Sequence, residues 1–150
     1  MKVDYFTIPE ITVSYKDTVK ASDRAVVKCS ADAAKILSVA YEDCMEHHEE
    51  VYVLYLNKAA RVLGISNVAK GGIAGVAVDV RIILQTALKV SASYITMSHN
   101  HPSGSAKPSN EDIALTKRIQ KGCEAVGIEL LDHMIMTGET YMSFADEGLL

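Results

Sequence analysis

Cysteine is scarce: Cys29, Cys44 and Cys123 are the only three in 150 residues. An odd, sparse set does not make a disulfide framework, and no pair has the short spacing of a zinc knuckle. A reducing, cytoplasmic setting is the expectation. Long apolar runs are also missing. None approaches the ~20 residues that span a bilayer, and MKVDYFTIPE at the start lacks the continuous apolar segment of a signal peptide. No membrane role is expected. Excess positive charge is absent too. Lysine and arginine total 15 against 19 acidic residues, for a net charge of −4, and the pI is about 5.7. A dedicated nucleic-acid surface usually shows as a basic patch, so nucleic acid is not an expected partner. The one basic cluster, Lys117, Arg118 and Lys121, reads as a solvated helix face. The glycine-rich stretch 70–75, KGGIAG, is not GxGxxG and lacks a Lys-Ser/Thr ending. It reads as a loop, or as a backbone surface for an extended substrate, and not as a phosphate cradle. There is no internal repeat, low-complexity tract or linker.

What remains is an ordinary globular composition, 49% hydrophobic and 23% charged. One domain of this length buries roughly two-thirds of its unfolded surface. Residues 11–15, ITVSY, alternate between Pro9 and Lys16-Asp17 and predict a strand. Such a strand would pair at a sheet edge or with a second copy of the chain, so a homodimer is one expected state. Ser30 is the expected N-cap of a helix in which Ala34, Leu37, Ser38 and Tyr41 recur, running to about Met45. Cys44, His47 and His48 then fall at its end, and the histidines read as partners of the helix dipole before they read as metal ligands. Residues 51–57, VYVLYLN, predict a strand buried on both faces. Asn57-Lys58 turns the chain into a partner over 61–65. Asp79 caps a helix over 80–89. A further helix over 110–126 places Ile113, Leu115, Ile119, Cys123 and Val126 on its apolar side, and Gly127 ends it. Strands are expected at 128–136 and 141–144. Asp132-His133 lies in the first of these; it reads first as holding a structural, hydrogen-bonded histidine and second as a pair that supports the metal ligands from behind. The order β-α-β-β-α-β-α-β-β implies a three-layer α/β fold, a mixed β-sheet flanked by helices.

The chemistry concentrates in residues 98–112, SHNHPSGSAKPSNED. His99 and His101 follow an apolar run over 93–97. On an extended backbone residues two apart share a face, so both imidazoles project from one side at the strand's end. Pro102 cannot donate to a ladder and should stop the strand. Ser103 and Gly104 allow a tight turn, and Pro108 precedes a helix start. Asp112 in the first helical turn can come back towards the imidazoles. Two neutral nitrogens and one carboxylate oxygen form a common catalytic zinc set, with a fourth position left to water. Ser109 and Asp112 equally fit an N-cap with an acidic residue at the third helical position, and the spacing alone leaves both readings open.

HxHP, six residues and then SxxD resembles the signature of the JAB/MPN (JAMM) metalloprotease family. HNHPSG followed by KPS is similar to its bacterial RadC branch. The resemblance extends through VYVLYLNKAARVLG, KGGIAGVAVDVRIILQTALK and LLDHMIMTGETYMSFADEGLL, and so covers about residue 26 to the end. It implies an extension over 1–25 and a JAB/MPN domain over 26–150 with a cytidine-deaminase-like fold. By family, His99, His101 and Asp112 bind Zn²⁺, and Ser109 helps to stabilise the tetrahedral oxyanion. The family's catalytic glutamate precedes the first long strand. Counting back from Asn57 places it at Glu49, with Glu50, on the opposite face, as runner-up. The implied activity is metallopeptidase or isopeptidase cleavage of an amide bond in a peptide or protein substrate. A DNA repair accessory role and a non-catalytic interaction domain are the alternatives. Longer relatives carry an N-terminal, helical DNA-binding-like module, and 25 residues are expected to be too few for one.

Overall fold

The computed structural model describes residues 8–72 and 76–150. Its elements in chain order are α1 (Ser30–Ala40), β1 (Glu50–Leu56), β2 (Val62–Lys70), α2 (Val80–Lys89), β3 (Tyr94–Asn100), α3 (Asn110–Ala125), β4 (Glu129–Met136) and β5 (Tyr141–Ser143). One sheet runs in the order β2-β1-β3-β4-β5. The β3–β4 pair is parallel, joined by α3 as a crossover, and the other pairs are antiparallel.

The alternation of β1 explains the layers. Val51, Val53 and Tyr55 face α2 and α3, where they pack with Ile83, Ala87, Ile95, Met97, Ile119 and Cys123. Leu54 faces the other way, onto Ala33, Ala34 and Leu37 of α1, with Met134 and Met136. A central strand flanked on both sides must be apolar at every position, which is why β1 reads as a continuous run. Each fully buried aliphatic side chain in these layers contributes about 1.5–3 kcal/mol. The three-layer α/β expectation is met, and Cys123 is a buried core residue.

Three local expectations are corrected. Residues 11–15 form no strand: the chain is exposed and unpaired in any ladder, tied to β2 at Tyr15, whose hydroxyl donates to the Leu63 carbonyl at 2.8 Å. Its alternating apolar residues, with Ile11 and Val13 largely exposed, find no buried face. The helix from Ser30 ends at Ala40 and not near Met45. Tyr41 turns inward, its ring edge-on to Tyr52 and its hydroxyl 2.8 Å from Ser98 Oγ. The chain then continues as short turns, closed by Cys44 N–H to Tyr41 O and His47 N–H to Cys44 O. His47 and His48 therefore lie beyond the helix end that was to hold them. Ser30 is the first helical residue; Cys29 occupies the N-cap position without a side-chain cap, and Ser30 Oγ instead reaches Asp146. Within the KGGIAG loop, positions 73–75 lie outside the described residues, as does 1–7 of the N-terminal extension.

Candidate metal centre

Strand β3 delivers the first imidazole. His99 is buried on the same face as Met97 and Ile95. The ladder runs one residue past the strand, because His101 N–H donates to the Met136 carbonyl at 2.9 Å. Pro102 then ends it. Gly104, at φ +82°, closes a turn onto the His101 carbonyl. His101 therefore emerges beside His99, with the two Nε2 atoms 2.9 Å apart. Asp112 returns from the first turn of α3. Its Oδ1 is 3.2 Å from His99 Nε2 and its Oδ2 is 3.5 Å from His101 Nε2. The structure thus brings the three expected ligands together, their donor atoms all within 4.8 Å of one another.

Hydrogen-bond partners decide what these nitrogens carry. His101 Nδ1 lies 2.7 Å from the Ser105 carbonyl, which only accepts. Nδ1 therefore holds the hydrogen, and Nε2 of the neutral ring has a free lone pair. For His99 the chain is longer. Thr116 Oγ1 donates to the Asp112 carbonyl at 2.7 Å and lies 2.5 Å from His133 Nδ1. Having given away its one hydrogen, the hydroxyl accepts from His133 Nδ1–H. His133 Nε2 then accepts from His99 Nδ1, 2.7 Å away. His99 Nε2 is left with its lone pair facing that of His101. Burial holds the His133 pKa well below the usual imidazole value, so the ring stays neutral in this chain.

Two nitrogen lone pairs and a carboxylate thus converge without a positive charge among them. Such a set fits a divalent zinc ion. The hydrogen bond to Asp112 raises the His101 pKa against the opposing effect of burial. The same imidazoles outweigh burial and hold Asp112 well below the usual carboxylate range.

Ser109 and Asp112 also make a capping box. Ser109 Oγ accepts from Asp112 N–H at 3.1 Å, and Asp112 Oδ2 accepts from Ser109 N–H at 2.8 Å. The cap and the facing of the imidazoles coexist on one carboxylate. Glu49, Ser103, Ser109 and Asp112 all line one cleft of about 580 Å³ with His101. Glu50 points to the opposite face. It is buried there against His48 Nε2 at 2.7 Å, Tyr52 Oη at 3.0 Å and Asn67 Nδ2. Glu49, just ahead of β1, and Glu50, its first residue, thus send their side chains to opposite sides of the sheet.

Two contributors were not legible as such. His133 is buried and hydrogen-bonded as expected, yet its partner is His99. Asn100, between the two histidines, faces the α1 layer. Its Nδ2 donates to the carbonyls of Cys44, Met45 and His48 at 3.1, 3.0 and 2.8 Å, and its Oδ1 accepts from Glu50 N–H at 2.8 Å. It fastens the segment that carries Glu49 to the strand that carries the imidazoles. The DH dipeptide and the middle letter of HNH were the available signals, but neither names its partner.

A three-layer α/β domain with a His-His-Asp donor set beside a carboxylate-lined cleft is the class defined so far. A family profile described as RadC-like JAB domain matches residues 27–149. The chain belongs to that family. Among curated relatives, a UPF0758 protein of Porphyromonas gingivalis is 45% identical over 103 residues, covering 68% of this chain and 45% of the relative. One of Aquifex aeolicus is 44% identical over 105 residues, covering 70% and 46%. One of Listeria monocytogenes is 36% identical over 130 residues, covering 87% and 57%. The chain spans about half the length of the curated relatives it matches. No helix among the described residues is long and apolar enough to cross a membrane.

Proposed function

We propose that this domain is a zinc-dependent metallohydrolase that cleaves an amide bond in a peptide or protein substrate. The observation that carries the reading is the convergence of the His99 and His101 lone pairs with the Asp112 carboxylate, oriented by His133, the Ser105 carbonyl and the Ser109 N–H respectively. His99, His101 and Asp112 would hold a Zn²⁺ ion, which would supply positive charge to lower the pKa of a water to about 7 and to polarise a carbonyl. Glu49, on the wall of the same cleft, accepts a proton from the attacking water. The water oxygen bonds to the carbonyl carbon, the carbon–nitrogen bond breaks, and Glu49 returns the proton to the leaving nitrogen. Ser109 Oγ accepts the cap bond from Asp112 N–H, so its own hydrogen remains available to the carbonyl oxygen as charge develops there. The free thiols of Cys29, Cys44 and Cys123 fit a reducing, cytoplasmic setting.

The test pairs metal content with turnover on a peptide library. Removing His99 and His101 together, as His99→Ala/His101→Ala, is expected to remove the zinc bound at this centre along with hydrolysis. Glu49→Gln is expected to keep that zinc and lose hydrolysis. Unchanged zinc in the double variant would remove the metal reading. Activity surviving in Glu49→Gln would remove Glu49 as the base.

A further inference from the structure

The opposite facing of Glu49 and Glu50 leaves a second set of donor atoms on the α1 side of the sheet. Cys44, His48 and Glu50 each offer one ligand atom, and the three lie within 4.8 Å of one another. Cys44 and His48 sit four residues apart on a helical turn, closed by the His48 N–H to Cys44 O bond at 3.3 Å, so they share a face. Glu50 meets them from the start of β1.

We propose that Cys44, His48 and Glu50 form a second zinc site, distinct from the His99–His101–Asp112 centre. Thiolate, imidazole and carboxylate are the three ligand types that zinc takes in proteins, and three protein ligands leave one position for water. The surroundings orient all three. Tyr52 Oη and Asn67 Nδ2 both bind Glu50 Oε2, leaving Oε1 to face His48 Nε2 at 2.7 Å. His48 Nδ1 is 2.9 Å from His47 Nδ1, so His47 accepts the Nδ1 hydrogen when Nε2 carries the metal. The Lys70 ammonium, 4.0 Å from Glu50 Oε1, is on a largely exposed side chain and can swing into solvent. A cleft of about 650 Å³ reaches Cys44 and His47 from outside. Zinc entering the site displaces the thiol proton from Cys44 to solvent, and the one hydrogen of the neutral His48 ring moves from Nε2, facing Glu50, to Nδ1, where His47 accepts it. Asn100 holds the carbonyls of Cys44, Met45 and His48, so the turn is already drawn against the strands. The site therefore closes a loop that is half built without it.

Three variants of the full chain test this site: His99→Ala/His101→Ala, Cys44→Ser/His48→Ala, and the combination of all four substitutions. Zinc per chain after dialysis is expected to be about two in the wild type, about one in each double variant and none in the fourfold variant, because each site needs its own deprotonated donors. A single zinc in the wild type that survives Cys44→Ser/His48→Ala but not His99→Ala/His101→Ala would overturn the second site and leave the first standing. The converse pattern would do the opposite. Cobalt gives an independent readout should the fourfold variant not fold. The folded His99→Ala/His101→Ala protein loaded with Co²⁺ is expected to show a thiolate-to-cobalt charge-transfer band that Cys44→Ser abolishes. Absence of that band overturns the proposal.

Discussion

At position 133 the chain buries an imidazole whose every polar atom is committed. Nδ1 faces Thr116 and Nε2 faces His99, while the ring stacks on Phe144 with centroids 4.5 Å apart. This arrangement holds the His99 ring in the tautomer that a metal requires. His133→Leu leaves the buried His99 Nδ1–H without its acceptor, at about 1–3 kcal/mol, while Thr116 Oγ1 keeps its bond to the Asp112 carbonyl. Loss of such outer partners typically lowers metal affinity about 10- to 100-fold. The expected result is a fold intact by circular dichroism, a lower melting temperature and zinc lost to a weaker chelator. Zinc affinity equal to wild type would show that His99 needs no such support. The sequence marked His133 as buried and hydrogen-bonded, because a polar residue inside an apolar strand must find a partner. Its partner lies 34 positions away on a parallel strand, a pairing that no local pattern specifies.

At the scale of elements, the first turn of α3 both caps the helix and faces the imidazoles of His99 and His101. The spacing of Ser109 and Asp112 left cap and ligand open as alternatives, and the structure shows why both fit: the cap uses Ser109 N–H and Oγ with Asp112 Oδ2 and N–H, while Oδ1 faces His99. A pure cap predicts that Ser109→Ala lowers stability by about 1 kcal/mol and leaves turnover alone. The donor role proposed for Ser109 adds a fall in turnover of about 10²- to 10³-fold with zinc retained. Ser109→Asp keeps a good N-cap while placing an anion where the oxyanion forms, so it is expected to fold, bind zinc and be inactive. Full activity in Ser109→Asp would take Ser109 out of the reaction. The central strands and α2 and α3 were legible because periodicity and caps such as Asp79, which accepts from Arg81 N–H at 2.9 Å, act locally. Residues 11–15 misled because alternation states a preference for a half-buried strand without supplying a neighbour. Residues 41–48 misled because an inward-turning Tyr41 ended the helix through a tertiary contact with Ser98.

For the molecule as a whole, the proposed first centre stands where separate parts of the chain meet. His99 closes β3, His101 follows it, Asp112 opens α3, and His133 anchors the group from β4. Burial begins at Arg24, whose guanidinium donates to the Val62 carbonyl at 2.8 Å, while residues 8–23 are exposed. The preceding segment meets β2 at Tyr15 and Arg24, which bond to the carbonyls of Leu63 and Val62. An ion bound only by the folded arrangement stabilises it by mass action, about 4 kcal/mol when free zinc is a thousandfold above Kd. In a protein of this size each kcal/mol moves the melting temperature by about 2–4 °C. Loading the chelated wild-type protein is therefore expected to raise Tm by about 10 °C or more. In His99→Ala/His101→Ala the rise is expected to shrink by the share belonging to this centre, and EDTA should reverse it in both proteins. Differential scanning calorimetry at matched free zinc measures the difference. An identical rise in the two proteins would mean that the ion stabilises the fold from some other place, and the meeting point of β3, β4 and α3 would be held together by its hydrogen bonds alone.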